Sequence, residues 1–283
     1  MIKVEPWRWL ERTAPAPMDA LLNESIPQIL AAFVLCAYLD RAVVRAGLTK
    51  SRWFTLHALV NAIVVALSAR DTWETLCAPT RAVGGPASTL ASSVVIALHL
   101  YHAAYFRLSA VDLVHHVISV GIMGPLAAWY RPGVFTNYVC FFVSGLPGGI
   151  DYAMLALVKH GRLTALQEKR WNAKLNVWLR GPMLVVGAFI SYQSALPGAN
   201  ERATPPGQRI AAYLTAAVLL WNAQFFAERV IVNYGAKSTQ STSEMYCTGM
   251  SNMLPRNLSK NSLSALARNL SRDSLLALAD AGQ

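Results

Sequence analysis

The sequence predicts an all-α, polytopic membrane protein of about seven transmembrane helices. Of its 283 residues 54% are hydrophobic and only 14% are charged, where a soluble globular chain carries roughly 25% charged residues. Charged side chains this sparse leave a soluble body of this length short of polar surface. In addition, windows of about 20 mostly apolar residues, the length that crosses a hydrocarbon core of ~30 Å, recur along the chain.

The windows run from Ile26 to Val44, Trp53 to Ala69, Ala87 to Phe106, Leu113 to Tyr130, Val134 to Val158, Leu175 to Leu196 and Ile210 to Tyr234. The first carries Asp40 and Arg41 in its last turn, and the fifth is expected to be interrupted at Gly145-Leu146-Pro147-Gly148-Gly149. An interrupted helix is tolerated only inside a bundle, where neighbours satisfy the freed backbone groups. The connecting segments are lopsided in charge. Arg41, Arg45, Lys50, Arg52, Arg107, Lys159, Arg162, Lys169, Arg170, Lys174 and five tail residues fall on one side, against eight lysines and arginines on the other. Because basic loops resist translocation, the amino terminus is expected in the lumen and the tail in the cytosol.

The first 24 residues hold Lys3, Glu5, Arg8, Glu11, Arg12 and three prolines. No apolar signal-peptide core is present there, so the first span is expected to act as the insertion signal. The excess of 25 Lys+Arg over 15 Asp+Glu flanks apolar segments, which points to anionic lipid headgroups as partners and sets nucleic acid aside. The cysteines Cys36, Cys77, Cys140 and Cys247 stand singly, which excludes a disulfide framework or zinc knuckle.

Four regions follow: a lumenal segment 1–25, a first span with its basic loop 26–49, a transmembrane domain 50–236 and a cytosolic Ser-rich tail 237–283. The tail is expected to open as irregular chain. It ends in a duplication, Arg256 to Ala267 and Arg268 to Ala279, with nine of twelve positions identical. Leu263, Leu266 and Leu270 share a helical face, so this stretch reads as a basic amphipathic helix for a membrane surface or, equally, as a disordered tail. Arg stands three residues before Ser259 and Ser271, marking both for phosphorylation by a basophilic kinase, which would oppose anionic lipid.

The chemistry concentrates in the third and fourth windows: His99-x-x-His102, Arg107, then Asp112-x-x-His115-His116. His99 and His102 share a face, and Asp112 lies three and four residues before the histidine pair, within side-chain reach. A carboxylate so placed holds an imidazole in one tautomer and raises its basicity, a general-base arrangement. The alternative is structural, with Asp112 capping its helix and the histidines bonding across helices. His57 and His160, near span ends, are expected at the interface. Further polar residues, Asn61, Asn137, Asp151, Asn176, Arg180, Asn222, Gln224, Glu228 and Arg229, point to a polar pocket within the bundle.

No metal is expected, because six histidines, two of them badly placed, are fewer than a membrane di-iron enzyme uses. A seventh-span lysine for retinal is also lacking.

Asn61 after His57, the Asp71 to Pro79 loop, His99-x-x-His102-x-x-Tyr105-Phe106 and Asp112-x-x-His115-His116 together resemble the TLC domain family, which includes the ceramide synthases. The resemblance covers about residues 50 to 236. It implies a protein of the endoplasmic reticulum that binds, senses or metabolises lipid. It also implies, as the enzymatic alternative, N-acylation of a long-chain amine by acyl-CoA, with His115 or His116 as base or acyl carrier and Asp112 as orienter. No cofactor is expected beyond acyl-CoA as substrate, with Arg180 or Arg229 meeting its phosphates. The chain departs from the synthase signature after the His-His pair, where Val117 to Pro125 and Arg131-Pro132-Gly133 lack the aspartate pair. A transporter is the third reading, suggested by the Gly-Pro sequences of the fifth and sixth windows, though without an inverted repeat.

Overall fold

The computed structural model describes residues 21–84, 87–130, 132–196 and 206–253, and among these the chain is all-helical, without a strand. The duplicated segment with Ser259 and Ser271 lies outside the described residues. The helices are α1 (Ile26–Arg45), α2 (Arg52–Cys77), α3 (Leu90–Tyr105), α4 (residues 110–130), α5 (Phe135–Lys159), α6 (Ala165–Ala195) and α7 (Pro206–Met253).

Among the described residues five stretches are long and apolar enough to cross a membrane: Asn23–Arg45, Thr49–Cys77, Phe135–Lys159, Ala165–Ala195 and Pro206–Glu244. Leu90–Tyr105 and Asp112–Ala127 are apolar but shorter. The 16 residues of α3 rise only about 24 Å at 1.5 Å per residue, less than the ~30 Å of a hydrocarbon core.

Three boundaries differ from the sequence reading. α2 stays helical to Cys77, through most of the loop expected from Asp71, with the hydroxyls of Thr72 and Thr75 bonded back to the carbonyls of Ser68 and Asp71 at 2.8 Å each. α6 begins at Ala165, ten residues before the apolar window, behind a capping box in which Thr164 and Gln167 bond reciprocally. α7 runs on to Met253, so the first part of the tail is helical rather than irregular; Thr239 and Thr242 bond back to the carbonyls of Gly235 and Ser238.

Nor is the fifth window interrupted. α5 is continuous, but Phe141–Gly145 winds as a π-helix immediately before Leu146-Pro147. The same device recurs in α4, where Val117–Met123 precedes Gly124-Pro125, and in α6, where Asn176–Arg180 precedes Gly181-Pro182. Proline has no N–H for the carbonyl four residues back, and its ring collides with that carbonyl. One wide turn relieves both faults and keeps the chain helical. The wide turns also crowd the chain at their ends: a Cβ on Gly181 would meet the Asn176 oxygen at 2.9 Å, and on Gly145 the Cys140 oxygen at 3.3 Å.

Two apolar clusters build the core. One joins α1, α2 and α3 through Cys36, Leu56, Val60, Val64 and Leu98. The other joins α5, α6 and α7 through Phe135, Tyr138, Phe142, Leu184 and Leu219. α2 links them by packing on α5, where Asn61 meets Gly148 and Gly149 so closely that a Cβ on either glycine would sit 3.0–3.3 Å from its side chain. α4 packs on α3 and α7 and leaves Leu113, Val114, Val117 and Ile122 more than half exposed.

The turns after α1 and α5 close in the same way. Gly47 (φ 74°) and Gly161 (φ 70°) take the left-handed conformation that ends a helix, and the next residue bonds back to the carbonyls of Val43 and Leu157. Ser51 Oγ and His160 Nε2, 2.9 Å apart, bring these two basic turns to the same end of the bundle. At that end Asp40 of α1 takes a two-point ion pair from Arg52 of α2, Nε to Oδ1 at 2.6 Å and Nη2 to Oδ2, and a hydrogen bond from Tyr101 of α3 at 2.7 Å.

Candidate functional site: a histidine cluster at the basic end

Five imidazoles meet between α2, α3 and α4. The ring centroids of His99 lie 5.0 Å from those of both His115 and His116, and those of His102 and His116 are 4.9 Å apart. His57 approaches His102 at 5.8 Å and Tyr152 of α5 at 4.2 Å. Trp53 lies against His57 and stacks on His102 at 3.6 Å. His57, His99 and His102 are each 7% exposed, so His57 belongs to the interior and not to the interface where sequence position put it. Local geometry explains the convergence. His99 and His102, three apart, share a face of α3, and His57 lies one turn along from Trp53 on α2. His102 stands three residues from the end of α3 and His99 six, His57 and His115 five and His116 six from the starts of their helices, so the cluster lies about 5–9 Å below the helix ends. This is shallower than the mid-helix depth that the span centres suggest.

The contacts fix the proton arrangement. His99 Nδ1 lies 2.7 Å from the carbonyl oxygen of Val95, which can only accept, so Nδ1 carries the proton. In a neutral ring His99 Nε2 is then an acceptor, and His115 Nε2 at 3.0 Å donates to it. His115 Nδ1 is left to accept from the hydroxyl of Ser119 at 3.4 Å. The chain Ser119, His115, His99, Val95 therefore runs in one direction, with tautomers assigned from the network. His116 Nδ1 and His57 Nδ1 are buried without a hydrogen-bond partner among the described residues.

A second polar system runs along α6. Glu168, Asn172, Asn176 and Arg180 recur every fourth residue on one buried face. Asn172 donates to Glu168 at 3.4 Å, Asn176 to Asn172 Oδ1 at 2.6 Å, and Arg180 Nη1 to Asn176 Oδ1 at 3.5 Å. Arg180 closes the series with Nη2 to Asn222 Oδ1 of α7 at 2.6 Å and Nε to the carbonyl of Val143 at 3.4 Å. Its guanidinium lies 4.6 Å over the ring of Phe226, which also approaches His115 at 6.2 Å between centroids. Phe226 thus joins the ladder to the histidines.

The remaining candidates fall in different places. Asp112 caps α4: its Oδ2 accepts from Ser109 N at 2.9 Å and Oγ at 2.7 Å, and Ser109 Oγ accepts from Asp112 N at 3.2 Å. Among the described contacts it bonds to neither His115 nor His116, so the orienting carboxylate expected from spacing is replaced by His99 and the Val95 carbonyl. Asn61 accepts from Ser144 at 3.2 Å and serves the α2–α5 contact. Asn137 donates to Asp71 at 2.5 Å and to the Ser88 carbonyl at 3.0 Å, away from the cluster. Asp151 sits beside Glu168 and Asn172 with a buried, unpartnered Oδ1. Glu228 and Arg229 are exposed, because the buried face of α7 carries Asn222 and Phe226, and two or three further residues turn the chain outward. A cavity of about 390 Å³ lined by Trp73, Cys77, Arg81 and Val134 opens at the other end of α2. Among the described residues no group of three His, Cys, Asp or Glu side chains is placed to hold a metal ion.

Neither a family model, a curated protein nor a solved structure matches the chain.

Sequence reasoning missed Trp53, His57, Ser119, Glu168 and Asn172. The every-fourth-residue series from Glu168 to Arg180 was available as a signal, but its first half lies outside the apolar window. Ser119, four residues after His115, could have been found by the spacing used for Asp112. Nothing local marks His57, which is brought in by the packing of α2 on α3.

Proposed function

We propose that this multi-pass membrane protein binds the polar part of a membrane lipid in the histidine cluster, as a lipid-binding, lipid-sensing or lipid-metabolising protein. The observation that carries the reading is a cluster of five imidazoles in an apolar bundle, His57, His99 and His102 buried and His115 and His116 half-buried, with two ring nitrogens buried and unpartnered among the described residues. An unsatisfied buried polar group costs about 1–3 kcal/mol, and a lipid headgroup or ester supplies the missing partner. The exposed apolar face of α4 offers acyl chains a lateral approach from the bilayer.

The finer reading follows from the residues. Seven crossings, with α3 and α4 as short spans, put the amino terminus in the lumen and the tail in the cytosol by the distribution of lysine and arginine. Membership of the TLC domain family and residence in the endoplasmic reticulum rest on the Asp112-x-x-His115-His116 resemblance. The second reading, an acyl-CoA-dependent N-acyltransferase, is favoured by Arg180, a buried cation separated from His115 by one aromatic ring.

The test is organic extraction of the purified protein and mass spectrometry of what it retains. One lipid class, enriched over the surrounding membrane and lost in His102→Ala and His116→Ala proteins that remain monodisperse, is expected. Lipid of bulk composition in all three proteins would sink the reading.

A further inference from the structure

We propose that Ser119 is a nucleophile that accepts an acyl group from a lipid ester or thioester, with His115 as its base and His99 as the residue that positions His115. The inference rests on the lipid-site reading above and adds a reaction to it.

The first argument is the choice of partner. Ser68, Thr72 and Thr75 donate their hydroxyls to the carbonyl four residues back and Ser194 to the one three back, the ordinary habit of a helical hydroxyl. Ser119 addresses the imidazole of residue i−4 instead. A hydroxyl facing an imidazole nitrogen, with the far nitrogen of that ring held by a third group, is the geometry that activates an alcohol. Here the third group is His99, whose own tautomer is locked by the Val95 carbonyl, so the acceptor nitrogen of His115 is directed at Ser119 and not away from it.

The second argument is access. Ser119 lies in the π-helical segment of α4 and is itself half-buried, as is His115, while Ile122, three residues on and on the neighbouring side of the helix, is more than half exposed. Chain and solvent-sized groups can therefore reach the serine from the lipid side. The third is an unclaimed hydrogen-bonding group: His116 Nδ1 is buried without a partner among the described residues, on a ring whose centroid is 6.0 Å from that of His115.

The reaction balances without a cofactor. Ser119 Oγ forms a bond to the acyl carbon as its proton passes to His115 Nδ1. The C–O bond of an ester or C–S bond of a thioester breaks, and the departing alkoxide or thiolate takes that proton. Water or an amine then attacks the acyl-serine and gives its proton to His115, which returns it to Ser119 Oγ as the acyl group leaves. Throughout, the His115 Nε2–H bond to His99 Nε2 steadies the transient imidazolium.

The experiment treats the full-length protein in detergent micelles with a long-chain alkyl fluorophosphonate and locates the adduct by peptide mass spectrometry. An adduct on Ser119 is expected, absent in Ser119→Ala, about a hundredfold slower to form in His115→Phe and unchanged in Ser194→Ala. His99→Phe is expected to move the pH midpoint of labelling; slower labelling at an unchanged midpoint would reduce His99 to packing. No adduct on Ser119 in monodisperse wild-type protein, or equal rates with and without His115, overturns the proposal. Lipid extracted from the same preparation separates the two ideas: an enriched lipid without an adduct removes the nucleophile alone, and bulk lipid without an adduct removes both.

Discussion

Arg180 Nε lies 3.4 Å from the carbonyl oxygen of Val143, the acceptor four residues before Pro147 that proline cannot engage. A break in the hydrogen-bond ladder of α5 is thereby repaired by a side chain from α6. Arg180 itself stands in the π turn ahead of Pro182, so the wide turn of one helix holds the side chain that serves the proline break of the other.

Arg180→Lys is therefore not a conservative change. Lysine keeps the charge but has no fork to reach Val143, Asn176 and Asn222 together. Arg180→Lys and Arg180→Met are both expected to lose about 1–3 kcal/mol, read as lowered thermal midpoints in detergent. A midpoint for Arg180→Lys equal to wild type would show that charge alone matters.

Gly181→Ala and Gly121→Ala form a contrasting pair. The first forces a Cβ against the Asn176 oxygen at 2.9 Å immediately after a π turn, and the second places one in open space. The expected loss at Gly181 is about 1–3 kcal/mol, whereas Gly121→Ala gains up to about 1 kcal/mol from helix propensity. Equal thermal midpoints for the two variants would remove the steric account of the wide turns.

Asp112→Ala and His116→Ala should separate stability from lipid retention. Loss of the cap at Ser109 and Asp112 costs about 1 kcal/mol and leaves the co-purified lipid unchanged. His116→Ala leaves the melting midpoint near wild type and loses the lipid. The reverse pattern would return Asp112 to the site.

Tyr101→Phe and Asp40→Ala probe the tie between α1 and its neighbours. Removing the phenol costs about 1 kcal/mol. Removing the carboxylate strands the phenol and a guanidinium that is only partly screened by water, at about 1–3 kcal/mol. In a double-mutant cycle Asp40→Ala and Tyr101→Phe should couple, and strict additivity would mean that the 2.7 Å contact contributes nothing.

The helical class and most spans were legible because hydropathy acts locally. The prolines also announced irregularity in α5 and α6, but not its form, since a wide turn that preserves the helix depends on neighbours such as Arg180. The site was legible in part. His99, His102, His115 and His116 lie close in sequence and form the cluster; His57 joins them only through helix packing. Asp112 shows the limit of spacing arguments, because a residue three or four before a histidine near a helix start is equally well placed to cap, and its nearest donor was Ser109. Glu228 and Arg229 show another: charge within an apolar window does not say which way a helix is turned.

The partners of Asp40 are ordered along the chain. Arg52 follows it by 12 residues across a short turn, and Tyr101 by 61. In a chain threaded into the bilayer from its amino terminus, Asp40 meets its cation within the same helical hairpin, before the third helix exists. Asp40 and Arg52 can thus leave the insertion machinery already paired, each charge answered by the other, and the phenol of Tyr101 then gives the next helix a place to dock.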